Sequence, residues 1–288
     1  MQTQADKLKE LMKNEHKIER KNTKFIAVTS GKGGVGKSTV SANIGNLLAN
    51  DGYKVALFDA DIGLANLDVI LNVRIGKNLL HVLKGECKLA DIIKDIKPNL
   101  KLIPGDSGGE ILKYNNSSFF DAFLEDVDLL SDLDFLIIDT GAGIGGTTLH
   151  FLEVADEVIV VTTPDPAAIT DAYATIKVSS DVRDNFLMLF NEVRNEKEAL
   201  NLFTNISKVA SSNIKNNPKL NYLGYLESSQ NIIDCVKSRI LFTQSNTNDT
   251  DCMKKIVNNL LVRLERNMLK DSDGKGIKNF FKKLVDRI

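Results

Sequence analysis

The stretch Phe25-Ile26-Ala27-Val28-Thr29-Ser30, running straight into Gly31-Lys32-Gly33-Gly34-Val35-Gly36-Lys37-Ser38-Thr39, decides the reading of this chain. An apolar run of strand length ends in a glycine-rich turn of the form G-x-x-x-x-G-K-[ST], from Gly31 to Ser38. Between a strand and a helix, such a turn aims backbone N–H groups at phosphate oxygens; its lysine reaches the β- and γ-phosphates and its hydroxyl holds Mg²⁺. Lys37 and Ser38 stand at those two positions. Lys32 is required by neither. A long cationic side chain at the loop tip, directed away from its own phosphates, suits a nucleotide bound to a partner. The loop therefore points to dimerisation as well as to ATP.

Working outward, the 288 residues suffice for one large α/β domain or two small ones, and 43% apolar content is ordinary for a globular protein. No apolar run reaches the length of a spanning helix. The N-terminus carries Lys7, Lys9, Glu10 and Lys13 without an apolar core, unlike a secretory signal. Cys87, Cys235 and Cys252 are too scattered for a metal-ligand or C-x-x-C spacing and read as reduced thiols of a cytoplasmic protein. The net charge of −1 is unevenly spread: residues 1–24 carry +3 and residues 275–288 carry +4, leaving −8 on the body. An acidic body argues against direct nucleic-acid binding.

Strand-length apolar runs at 24–29, 54–58, 100–103, 135–139, 157–162, 186–190 and 222–226 alternate with helical patterns near 37–50, 77–95, 118–131, 147–155, 167–180, 195–211 and 229–239. Runs such as Val55–Phe58 and Phe135–Ile138 are apolar throughout, as expected of parallel strands covered on both faces. The alternation predicts an α/β fold with a doubly wound, mostly parallel sheet and helices on both faces. One domain is expected over 24–270, with an extension at 1–23 and a hinge and helix at 271–288. Ligands of such sheets bind beyond the carboxyl ends of the strands.

The polar motifs fall at those ends. Asp59 and Asp61 follow the second strand, where Asp59 suits the water shell of Mg²⁺ and Asp61 suits the water that attacks a γ-phosphate. Aspartates after strands also cap helices; the neighbouring phosphate loop favours the metal reading. Leu136-Ile137-Ile138-Asp139-Thr140-Gly141-Ala142-Gly143 has the Walker B form, with Asp139 serving Mg²⁺ through water and glycines that allow close backbone approach. Asp165-Pro166 opens a helix as cap and first-turn proline. Asn191 closes a later strand, where its amide could both donate to and accept from an adenine edge.

Taken together, the loop, the D-x-D and the D-T-G-A-G turn resemble those of the MinD/ParA group of deviant-Walker-A ATPases, in the SIMIBI class of phosphate-loop proteins, over roughly residues 24–245. The resemblance implies that Lys32 is the signature lysine touching nucleotide across an ATP-sandwich dimer. It implies that Gly31, Gly33, Gly34, Val35, Gly36, Lys37, Ser38 and Thr39 bind phosphate, that Asp61 is catalytic beside Lys32 and Lys37, and that Ser38, Asp59 and Asp139 form the Mg²⁺ site. Asn191 matches the adenine-reading position, with the backbone at Leu226 and Glu227 on the other side of the base.

Both termini narrow the choice. In the tail, Ile277, Phe280, Phe281, Leu284, Val285 and Ile288 share one helical face with lysines opposite, the composition of an in-plane helix on anionic lipid. A terminal helix docked on the core is the alternative. The tail is too short to be a stable helix alone in water. Two tails on one dimer would hold a bilayer far better than one. Thr3-Gln4-Ala5-Asp6-Lys7-Leu8-Lys9 is similar to the D-Q-A-x-x-L-R element of the FlhG (FleN/YlxH) family of MinD-like regulators of flagellar number. In that family the element activates the signal-recognition-type GTPase FlhF. Gln4, Ala5 and Leu8 match, whereas Thr3 replaces the acid and Lys9 replaces arginine. The expectation is an ATP- and Mg²⁺-dependent homodimer, cytoplasmic and peripheral on the inner face of the membrane, whose partners are FlhF, flagellar basal-body components and anionic lipid. A MinD-type division-site ATPase is the runner-up, and a ParA-type partitioning ATPase lies further off.

Overall fold

The structure is a computed structural model that describes residues 23–61, 66–105, 127–268 and 277. Eight strands form one sheet: β1 (Lys24–Ser30), β2 (Val55–Ala60), β3 (Lys94–Lys97), β4 (Leu100–Ile103), β5 (Phe135–Ala142), β6 (Glu157–Thr162), β7 (Asn185–Val193) and β8 (Lys219–Glu227), in the order β3-β4-β2-β5-β1-β6-β7-β8. All neighbours pair in parallel except β3 with β4. The doubly wound α/β sheet expected from the sequence is present. β1 lies in its centre, so the loop that follows opens in the middle of the carboxyl edge.

The helices are α1 (Lys37–Asn50), α2 (Leu67–Ile70), α3 (Leu79–Leu83), α4 (Leu89–Ile92), α5 (Gly146–Val154), α6 (Pro166–Ser179), α7 (Glu196–Asn213), α8 (Gln230–Lys237) and α9 (Asn248–Met268), with 3₁₀ turns at Val127–Leu130 and Phe242–Gln244. Alternate strand residues face opposite layers, as the period of two requires. Ile26, Val28, Leu57 and Ile137 pack with Val40, Ile44 and Leu48 of α1 and with Met253, Ile256 and Leu260 of α9. Phe25, Phe58, Leu136 and Ile138 face the other side, against Leu79, Val82, Leu89, Ile92 and Phe151. Further along that side, Ala27, Val160 and Met188 meet Ala172 and Ile176 of α6 and Ala199 and Ile206 of α7.

Three readings of the sequence change here. The helical stretch expected at 77–95 is two short helices and an edge strand: Gly85 turns left-handed at φ 73°, ending α3, and Ile93 is extended after α4. Residues 127–130 of the helix expected at 118–131 form a 3₁₀ turn, the rest lying outside the described residues. The sequence reading also had no counterpart of α9, which supplies much of one core layer.

Ile277 departs from expectation as well. Its spacing predicts a lipid-facing side chain, but it is 3% exposed and packs in the cluster containing Phe58, Leu79, Val82 and Ile103. A side chain apolar enough to suit lipid is equally suited to the protein's own core. Phe280, Phe281, Leu284, Val285 and Ile288 lie outside the described residues, as do Gln4, Ala5 and Leu8.

Candidate nucleotide-binding site

The turn after β1 needs glycine at three positions, Gly31, Gly34 and Gly36. A Cβ at Gly31 would lie 2.1 Å from the Asp171 carbonyl carbon of α6, so the loop rests directly on that helix's backbone. Gly34 and Gly36 sit at φ 82° and 87°, a region other residues rarely enter. Gly36 is the N-cap of α1, and Lys37, Ser38 and Thr39 form its first turn, where unpaired N–H groups and the helix dipole favour an anion. Gly33 and Gly34 are exposed, whereas Val35 and Lys37 are buried.

β2 and β5 pair in register, Asp59 opposite Asp139, which brings the two carboxylates from separate motifs to one place. Lys37 Nζ lies 2.9 Å from Asp139 Oδ1 and 3.7 Å from Asp61 Oδ2. The Ser41 hydroxyl, one helical turn beyond Lys37, also donates to Asp139 Oδ1, at 3.2 Å. Ser41 belongs to no motif of its own; its i+4 spacing from the loop lysine is the one sign of this role in the sequence. Asp59 accepts from the backbone N–H groups of Asp61, Asn66 and Leu67, so it caps the start of α2 as well as facing Asp139.

The electrostatics of this cluster are unresolved within the protein. Burial, and then the nearby Asp139, push the Asp59 carboxyl up to about 6. Burial likewise raises Asp61, against the lowering effect of Lys37. Asp139 is fully buried and its Oδ2 has no hydrogen-bond partner. An orphaned carboxylate oxygen, crowded acids and one ammonium drawn in among them are what a site for a further cation looks like. These donors fit Mg²⁺, which prefers oxygen and keeps part of its water shell; among the described residues no cluster of three or more acids, histidines or cysteines forms an all-protein cage.

Lys32 does not join this cluster. It is 2.5 Å from Asp165 Oδ2, and both side chains are near half-exposed. Its hydrogen bond holds the Asp165 carboxyl below its ordinary range, and the same bond raises Lys32. Asp165 is the N-cap of α6, accepting from Ala167 N–H, with Pro166 following, as its sequence suggested. Asn191 lies inside β7, which runs on to Val193, and donates from Nδ2 to the Val35 carbonyl at 2.9 Å. Leu226 is buried in the core and Glu227 ends β8 at the same edge of the sheet. The loop and the three aspartates converge; Lys32 and Asn191 flank them through contacts that sequence alone did not show.

Residues 23–193 match the family described as AAA domain. Across 99% of both chains, the protein is 48% identical to the flagellum site-determining protein YlxH of Helicobacter pylori. The chain belongs to the YlxH/FleN family of MinD/ParA-type ATPases. Consistent with that family, the antiactivator FleN of Pseudomonas aeruginosa is 36% identical over 74% of this chain and 77% of its own. The septum site-determining protein MinD of Pyrococcus horikoshii, solved as its Mg-ADP complex, shares the fold with a TM-score of 0.65, over 87% of this chain and all of its own, at 22% identity. Among the described residues, no helix is long and apolar enough to cross a membrane.

Proposed function

We propose that this YlxH/FleN-type ATPase works as an ATP-assembled dimer that sets the number or placement of flagella from the inner membrane surface. The observation that carries the reading is the division of labour between the two loop lysines. Lys37 serves its own site, buried against Asp139 and Asp61, while Lys32 stands outside it, near half-exposed on Asp165. A cation held at the rim by one breakable surface pair is available to a nucleotide on a second copy.

In the loaded site the loop amides, Lys37 and the Ser38 hydroxyl would hold the phosphates, and Ser38, Asp59 and Asp139 would hold Mg²⁺, which supplies charge neutralisation on the phosphate oxygens. Lys37, now on Asp139, would turn toward the phosphates. Asp61, partly exposed beside Lys37, would orient the attacking water. Asn191 and the backbone at Leu226 and Glu227 would flank the base. Lys32 from the partner would cover the charge that develops on the leaving phosphates.

The output is positional. The apolar face of the tail would bind anionic lipid once paired on a dimer, which requires Ile277 to leave the core in which it is buried. Gln4, Ala5 and Leu8 would engage FlhF, and basal-body components would meet the assembled dimer. The test is flotation with anionic liposomes, with ATP and with ADP, comparing the full chain with one ending at Asp273. Flotation of the full chain with ATP alone is expected; equal flotation in every sample contradicts the switch. Stimulation of FlhF GTP turnover by residues 1–20, lost on Gln4→Ala, supports the flagellar assignment, and its absence favours a MinD-type role.

A further inference from the structure

We propose that Asn191 is a positioning residue for the phosphate loop, gripping it from β7 so that its amides converge before nucleotide arrives. This rests on the nucleotide-binding reading and gives Asn191 a second task beside the base contact proposed above. Asn191 is only 8% exposed, and its Nδ2 donates to the Val35 carbonyl 2.9 Å away. A carbonyl oxygen accepts and never donates, so the side chain must present its NH₂ group there. The same nitrogen lies against the next residue: a Cβ at Gly36 would fall 2.4 Å from it. The amide therefore touches both sides of the Val35–Gly36 peptide, immediately before the first turn of α1.

The strand is irregular at this contact. Glu192, next in sequence, has φ 58°, and the pairing of β7 with β8 shifts register between Phe190 and Val193. A non-glycine residue held left-handed within a bulged strand is costly and persists where its surroundings demand it. Bulges of this kind re-aim a neighbouring side chain. Here the re-aimed side chain is Asn191, and its target is the loop backbone. A loop held in shape in advance loses less freedom on binding phosphate, which raises affinity for any ligand that uses the loop.

The discriminating ligand is one without a base. Binding of ATP·Mg²⁺ and of inorganic tripolyphosphate·Mg²⁺ is measured by calorimetry for the full-length protein and for Asn191→Ala and Asn191→Asp. A positioning role predicts that tripolyphosphate weakens about tenfold, for one lost buried hydrogen bond, and ATP at least as much. Asn191→Asp is expected to be at least as damaging, since its carboxylate would face the Val35 carbonyl. Glu192→Gly supplies a fold-independent check: glycine relieves the left-handed backbone and raises Tm, yet loosens the aim of Asn191 and weakens tripolyphosphate. Undiminished tripolyphosphate binding in Asn191→Ala, with ATP binding reduced or not, overturns the inference. Failure of the unmutated protein to bind either ligand would instead overturn the nucleotide reading beneath it.

Discussion

Two regions along the same helix bury polar groups in opposite ways. At the N-terminus of α1, Lys37 meets Asp139 and Asp61, Asp139 Oδ2 has no partner, and Asp59 is pushed up to about 6. Further along, Asn43 donates to the Thr39 carbonyl and accepts from both the N–H and the hydroxyl of Thr243. Asn46 donates to that same hydroxyl, and Lys97 of β3 donates to the carbonyl and side chain of Asn46 and to Asn50. The second network is a closed chain of matched donors and acceptors that ties α1 to the 3₁₀ turn before α9 and to the sheet edge. The first is short of positive charge. Satisfied buried networks fix structure, whereas frustrated ones mark places where a ligand completes the count.

The contrast can be broken most forcefully at Lys37. Lys37→Met strands Asp139 without its cation in a fully buried position, so ATP hydrolysis should vanish and unfolding free energy should drop by about 3 kcal/mol in a denaturant titration. Next comes the closed network. Thr243→Val removes the hydroxyl that serves Asn43 and Asn46 together, and should cost about 2 kcal/mol while leaving ATP turnover within a factor of about two. A large loss of turnover there would show that the two regions are not separable.

A smaller effect appears in pH dependence. The Asp59 carboxyl is raised to about 6 from an ordinary 3.8, so the nucleotide-free native protein holds a proton that the unfolded chain releases. The stability this contributes is complete below about pH 4 and is lost as pH rises through about 6. Between pH 5 and pH 7 the unmutated protein should lose about 1 kcal/mol more than Asp59→Asn in paired unfolding titrations. The smallest expected change is at the rim. Asp165→Asn keeps an oxygen to cap α6 but removes the charge that holds Lys32, so thermal stability should stay nearly constant while ATP-dependent self-association strengthens.

The same contrast explains what the sequence made legible. Gly31–Thr39, Asp59, Asp61 and Asp139 could be read because each follows an apolar strand and its chemistry is tied to a local turn. Their convergence follows from the parallel order of the sheet. The partners of Lys32 and Asn191 could not be read: Asp165 lies 133 residues from Lys32, and Asn191 bonds to a backbone carbonyl that no residue type announces. β3 escaped because Lys94-Asp95-Ile96-Lys97 is a charged edge strand without an apolar pattern. α9 carries a helical apolar pattern in Met253, Ile256, Val257, Leu260 and Leu264, but no functional motif marks it. Ile277 shows the limit of amphipathic spacing, which marks a face to be covered without saying by what.

The central claim is that Lys32 belongs to a partner's nucleotide. Sedimentation velocity of Asp61→Ala with ATP·Mg²⁺ tests it directly, since on the proposed role of Asp61 this variant would not hydrolyse ATP and the loaded state would accumulate. The account predicts a dimer that reverts to a single chain when Lys32→Ala is added. A species that stays single at high concentration, or a dimer indifferent to Lys32, would contradict it.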